Sequence, residues 1–168
     1  MERLFLSYSV EKLRQLQSRI DYCLERLSPE QIWWRGSEEA NAVGNLVLHL
    51  NGNVRQWIIS SVGGDPDRRD RDAEFNARGD VAAATLRSML KDTVDEAIRV
   101  IEAVTTARLS EMIKVQGYEK SVLEVIYHVI EHFSMHTGQI LYITKLLRNE
   151  DLGFYGHLRN PAHQQKTP

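Results

Sequence analysis

The stretch SVLEVIYHVIEHFSMHTGQILYITKLL, Ser121 to Leu147, decides the fold. Ser121 with Glu124 three residues on is the capping-box signature of a helix start, and apolar residues then recur at three- and four-residue steps. The pattern predicts one helix from about Val122 to Leu147. At about 100° per residue, with His132 set to zero, Val125 and Ile143 fall near ~+20°, Val129 and Leu147 near ~+60°, and Val122 and Ile140 near ~+80°. These positions centre the buried stripe around ~+50°. His128, His132 and His136 form a ladder near ~−40°, 0° and ~+40°. On this wheel His136 is central in the stripe, His132 inside it and His128 marginal.

Working outward, three more helices emerge. Leu6, Val10, Leu13, Leu16, Ile20, Cys23, Leu24 and Leu27 line one face of a first helix. Ser28-Pro29-Glu30-Gln31 reads as a stop followed by a short new turn. A second helix fits Asn41 to about Val62, closed by Gly63-Gly64. A third is expected after Asp80 as N-cap, carrying Leu86, Leu90, Val94, Ala97, Ile98, Ile101 and Val104 inward. Thr105 to Lys120 is irregular, with a short extended piece at Met112 to Val115. The tail from Asn149 to Pro168 has no apolar periodicity. Four long amphipathic helices without a strand series predict an all-α bundle, one domain spanning residues 1–168. The connections after the second and third helices are long enough to be candidates for capping a site.

Composition sets limits on function. The chain has 168 residues, 42% hydrophobic and 26% charged, near the soluble globular average. A chain this long buries enough surface to fold without a structural metal, so any metal is expected to serve chemistry. The formal charge of −2 argues against a general nucleic-acid binder, which leans on clustered positive charge. Cys23 is the only cysteine, which removes an intramolecular disulfide and favours a reducing compartment. The N-terminal residues lack the apolar core of a secretory signal, and no stretch approaches a membrane span. The expectation is a soluble cytoplasmic protein.

The histidines carry the chemistry. Two imidazoles facing a bundle core need partners for their ring nitrogens, and a shared cation satisfies both. His49, in the middle of the second helix, borders the core with Asn45, Asn53 and Gln56 on its side, as expected for the wall of a wet cavity. Three histidines with an open position is the catalytic zinc pattern, whereas closed structural sites use four protein ligands. The residues alone leave this reading open against separate core and surface histidines. A di-iron centre is unsupported, because no glutamate has a histidine three positions later. His128-Val129-Ile130-Glu131-His132 matches the H-x-x-E-H protease signature, but Glu131 projects near ~−100°, away from the stripe. Phosphate-loop, dinucleotide-fold and serine-hydrolase motifs are missing from the sequence.

The remaining residues take plainer readings. Cys23 reads as core. Arg68, Arg69 and Arg71 alternate with aspartates and read as a solvated loop. Trp33, Trp34 and Trp57 read as packing rather than as pocket walls. His157 and His163 fall in the polar tail and carry no case.

Asn41-Ala42-Val43-Gly44-Asn45-Leu46-Val47-Leu48-His49-Leu50, then Gly52-Asn53-Val54-Arg55-Gln56-Trp57-Ile58 and Arg69-Asp70-Arg71-Asp72, resemble the DinB superfamily, and within it a functionally unassigned subfamily. His132-Phe133-Ser134-Met135-His136-Thr137-Gly138-Gln139-Ile140 resembles that family's His-x-x-x-His-x-Gly-Gln element. The resemblance implies a DinB/YfiT-like four-helix bundle in up-down-down-up order, with a divalent ion such as zinc or nickel held by His49, His132 and His136. It also implies frequent homodimers, and thiol-dependent activity in relatives that use bacillithiol, mycothiol or glutathione. The leading expectation is therefore a metal-dependent S-transferase acting on small molecules, with a low-molecular-weight thiol as possible co-substrate and neither nucleic acid nor membrane as partner. The alternatives are a hydrolase using a metal-bound water and a non-enzymatic dimeric metal-binding stress-response module. No catalytic acid or base is assigned: of Tyr127, Glu131 and Gln139, only Gln139 shares the ladder's face.

Overall fold

A computed structural model gives the structure of the chain and describes residues 1–79 and 81–159, apart from the side chains of His157 and Arg159. The first apolar stripe folds as α1 (Glu2–Arg26), with Leu13, Ile20 and Cys23 fully buried. Ser28 and Gln31 complete a reciprocal capping box on the short α2 (Pro29–Ile32). α3 (Val43–Val54) runs without interruption into a π-helical turn, Arg55–Ser60. The segment after it folds back as α4 (Arg71–Asn76), started by Asp70, whose side chain accepts from the Ala73 amide. Next come α5 (Ala83–Ala103) and α6 (Val122–Arg148), which opens on the Ser121/Glu124 capping box and closes on Asn149 in the left-handed conformation. α1 packs against α5 and α6, and α3 against the same two helices, around one hydrophobic core.

The architecture is mostly helical, but not purely so. β1 (Met112–Val115) is the expected extended piece, and it pairs antiparallel with β2 (Tyr118–Ser121), Met112 opposite Ser121 and Val115 opposite Tyr118. Gln116 and Gly117 join them with φ of 50° and 81°, the double left-handed geometry of a two-residue hairpin loop. β2 escapes a sequence pattern because Tyr118-Glu119-Lys120 alternates no apolar residue inward.

Other expectations need correction. α5 begins at Ala83 with Ala82 at the cap position and no side-chain cap, while Asp80 lies outside the described residues. The tail is not wholly irregular: Leu152 joins the core, Phe154 packs on Tyr22 with ring centroids 5.1 Å apart, and Gly156–Arg159 forms a 3-10 turn. The buried stripe of α6 runs through Val122, Val125, Ile126, Val129, Phe133, Thr137, Ile140 and Thr144, so it centres near ~+90°, beside Phe133. The wheel fell short of this because it left out Ile126 and Phe133 as well as the two threonines. Thr137 and Thr144 are buried with hydroxyls donating to the carbonyls of Phe133 and Ile140, 2.8 Å each, which lets a polar residue pack as an apolar one. His136 is consequently half-buried at the stripe's edge, not central.

Candidate metal centre

Helix periodicity brings the imidazoles together. His132 and His136 project from successive turns of α6 toward His49, which sits in the middle of α3 and is 6% exposed. Nε2 of His49 lies 2.9 Å from Nε2 of His132. The ring centroids of His49 and His136 are 5.1 Å apart, and those of His132 and His136 are 4.4 Å apart. One ring nitrogen from each of the three lies within 4.8 Å of the others, a grouping compatible with a metal site. Nitrogens at about 2.0–2.1 Å from a tetrahedral zinc stand about 3.3 Å apart, so small side-chain rotations suffice to gather them.

The outer nitrogens of two rings are already held. Nδ1 of His49 lies 3.0 Å from Oε2 of Glu74, and Nδ1 of His136 lies 2.6 Å from Oε1 of Gln139. Both oxygens are acceptors, so each Nδ1 donates and each Nε2 keeps its lone pair for a cation. His136 Nε2 has no hydrogen-bond partner among the described residues. His132 is oriented differently, its ring stacked on that of His128 at 23° between planes. Burial, reinforced by the positive charge His136 and His49 present when protonated, pushes His132 down to about 3, so its imidazole is neutral at physiological pH. Burial also lowers His136.

Glu74 is the residue that organises this shell. Arg69 grips its carboxylate with two hydrogen bonds, Nε to Oε1 at 2.7 Å and Nη2 to Oε2 at 2.9 Å. Burial alone would raise the Glu74 carboxyl, but the hydrogen bonds and charges of Arg69 and His49 hold it below its ordinary value. It is therefore an ionised acceptor, which fixes the His49 tautomer. The pair lies against the backbone of Gly52, one helical turn beyond His49. A Cβ there would stand 1.8 Å from Oε1 of Glu74. Asn45, fully buried, locks α4 in place: its amide donates to the carbonyls of Glu74 and Ala77, and its oxygen accepts from Arg35 and the Ala42 amide.

The structure thus brings His49, His132 and His136 to one point and leaves His128 outside the group. His128 packs on Trp57 with centroids 4.0 Å apart, and Glu131 is exposed, so the H-x-x-E-H pattern assembles no site. Cys23 is core as expected. One plain reading fails: Arg69 is not a solvated loop residue, since its side chain is 4% exposed. Trp57 packs in the core as expected and also walls a cavity of about 340 Å³ beside His49 and His132. Both long connections do cap the site, one supplying Arg69 and Glu74 and the other the hairpin residues Tyr118 and Lys120. Glu74 was missed because nothing in its local pattern marks it. A signal existed at Gly52, a glycine in a helix interior, which often marks a close neighbour. The π-helical turn re-phases Gln56 and Trp57, and such turns recur at functional sites. Gln56 accepts from Arg69 and so extends the same network. Side chains of His157 and His163 lie outside the described residues.

Fold and site together define a class: a mostly helical protein in which α3 and the last helix present three converging imidazoles. The chain belongs to a family described as a protein of unknown function (DUF1572), which it matches over residues 1–157. Solved structures of DinB-like proteins share its fold. A DinB-like protein of Bacillus cereus superposes with a TM-score of 0.68 at 14% identity, over 86% of this chain and 91% of that one. A conserved protein of Enterococcus faecalis gives 0.69 at 17%, over 86% and 97%. A DinB-like protein of Bacillus subtilis gives 0.67 at 15%, over 88% and 97%. No curated protein matches.

Proposed function

We propose that the chain is a metal-dependent enzyme whose His49, His132 and His136 hold a divalent ion, zinc or nickel, on an up-down-down-up four-helix bundle. The observation that carries this reading is the convergence of three neutral-capable imidazoles, two of which have their outer nitrogen bound by an oxygen acceptor. Three nitrogen donors suit zinc and nickel and leave further coordination positions open. The chemistry such an ion supplies is that of a Lewis acid, which favours the deprotonated form of a thiol near neutral pH. The chain's own part is to hold His49 Nε2 forward through Glu74, to keep His132 unprotonated by burial, and to wall the adjoining cavity with Trp57, Tyr118 and His128.

The reaction proposed is S-transfer from a low-molecular-weight thiol to a small molecule, carried out in the cytoplasm by a homodimer, with neither nucleic acid nor membrane as partner. Two observations are consistent with it: the formal charge is −2, and among the described residues no helix is long and apolar enough to cross a membrane. The test has two arms. Elemental analysis of protein purified without added metal is expected to find about one ion per chain, lost in His136→Ala. Zinc- and nickel-loaded protein is then assayed with a panel of thiols and electrophiles. Turnover that needs both metal and thiol supports the reading, hydrolysis without thiol transfers it to a hydrolase, and metal-free protein with unchanged melting after chelation overturns it.

A further inference from the structure

The cavity beside the histidines has a charge that the metal reading does not use. Its walls include Arg71 and Lys120 and contain no carboxylate side chain. Arg69, which also lines it, is neutralised by Glu74. Arg71 makes no ion pair among the described residues, its guanidinium resting 4.9 Å from the centre of the Phe75 ring. The carboxylate paired with Lys120 is that of Glu124, at 3.4 Å, with both side chains nearly half exposed. Such an exposed pair leaves much of the lysine's field in place. The chain as a whole is negative, so this local positive potential is set by placement and not by composition.

Trp57 and Asn53 of the same walls each carry a polar atom with no partner among the described residues, Nε1 and Oδ1, but both atoms are sealed from the cavity and are not offered to an occupant. The flat surfaces of Trp57, His128 and Tyr118 add an apolar wall suited to an unsaturated or aromatic body.

We infer that this cavity binds a small organic anion, its acid group between Arg71 and Lys120 and its apolar body against Trp57, next to His49 and His132. The inference rests on the metalloenzyme reading for its meaning, since it names the class of substrate that the histidine group would face. Neutral and cationic molecules of the same shape are the ones it disfavours. A nucleic acid is a poorer fit, because a pocket with Arg71 and a surface-paired Lys120 is not an extended basic track.

Phenylacetate, phenylacetamide and phenethylamine serve as isosteric probes of negative, zero and positive charge. Binding is followed through the Trp57 indole N–H resonance, assigned by its loss in Trp57→Phe, in metal-free and in zinc-loaded protein. The metal-free arm removes direct ligation of the carboxylate. Phenylacetate is expected to bind about tenfold more tightly than phenylacetamide, the ratio that corresponds to 1.4 kcal/mol, and phenethylamine more weakly than either. In the Arg71→Gln/Lys120→Gln double variant that preference falls below about twofold while phenylacetamide binds as before, and in the parent protein it weakens with added salt. Equal affinity for the three probes overturns the inference. So does a preference unchanged in the double variant, or a Trp57 signal that never moves. Zinc affinity is measured on the same samples: zinc bound without anion preference rejects this inference alone, whereas anion preference without zinc binding rejects the metalloenzyme reading alone.

Discussion

Gly52→Ala tests the organising role assigned to Glu74. The added methyl would stand 1.8 Å from Oε1 of Glu74, 2.8 Å from its Cδ and 3.0 Å from Nε of Arg69, so the carboxylate has to retreat by about 1.6 Å to reach ordinary contact. That carboxylate accepts three hydrogen bonds, two from Arg69 and one from His49, at 2.7 to 3.0 Å, and none survives a shift of this size. Separating a buried ion pair costs about 3–5 kcal/mol. Alanine in a helix interior returns about 1 kcal/mol over glycine, so the loss wins and the net destabilisation is about 2–4 kcal/mol. For a domain of this size that lowers Tm by roughly 5–15 °C. The functional effect is separate: His49 loses the group that holds its tautomer, and zinc affinity is expected to fall about 10–100-fold. Thermal unfolding by circular dichroism reads the first effect and competition with a chromophoric chelator reads the second. Glu74→Gln, which keeps the volume, is the companion in case Gly52→Ala does not fold, and it is expected to show the same loss of zinc affinity. A Gly52→Ala protein that melts within a degree or two of the parent and binds zinc within about twofold would refute the reasoning, because the Arg69–Glu74 clamp could then not be where affinity is set.

Three further outcomes are expected. Metal-free protein loses stability on acidification: His132 is held down to about 3 from an ordinary 6.5, so between these values the unfolded chain binds a proton that the native chain refuses, and stability, full above 6.5, falls as pH drops toward 3. His136 and His128, also lowered by burial, act in the same direction, while Glu74 adds a loss below its ordinary 4.5; urea midpoints that stay flat from pH 7 to 4 contradict this. Gly138→Ala, where a Cβ meets nothing within 4 Å, is expected to stabilise α6 by about 1 kcal/mol and raise Tm by about 2–4 °C, and a fall in Tm would show that something packs against that position. Cys23 is fully buried and its thiol is pushed up by that burial, so iodoacetamide is expected to leave it unmodified until the protein unfolds; rapid native labelling would contradict the core assignment.

What could be read from the sequence follows a physical division. α1, α3 and α6 were legible because a helix that buries one face must repeat its apolar residues every three or four positions, and the same periodicity placed His49, His132 and His136 on facing surfaces. The wheel for α6 erred by about 40° because it left out Ile126 and Phe133, and because Thr137 and Thr144 satisfy their hydroxyls within the helix and pack as core, a fact that hydropathy does not record. The parts that orient the histidines were not legible. Glu74 reaches His49 from α4, 25 residues away, and is held there by Asn45 and Arg69 through hydrogen bonds with no fixed spacing. The π-helical turn from Arg55 was not legible either, since apolar spacing does not mark a local change of angular step.

This division bears on how such a site can change its chemistry. The three imidazoles stand on α3 and α6, whose positions are fixed by the shared hydrophobic core, and proteins only 14–17% identical to this chain have the same fold. Most of the groups that would meet a substrate come from elsewhere. Arg71 belongs to the connection between α3 and α5, Tyr118 and Lys120 to the β1–β2 hairpin, while Trp57, at the π-helical end of α3, and His128, on α6, come from long helices. Arg71, Tyr118 and Lys120 have little part in the core, so exchanging them leaves the packing that aligns the histidines untouched. Arg69 and Glu74 are the exception, because they sit in the same connection yet hold His49. Substitutions at Arg71, Tyr118 and Lys120 are therefore expected to alter which small molecule binds at nearly constant stability and metal affinity, whereas changes at Arg69, Glu74 or Gly52 alter the metal affinity itself.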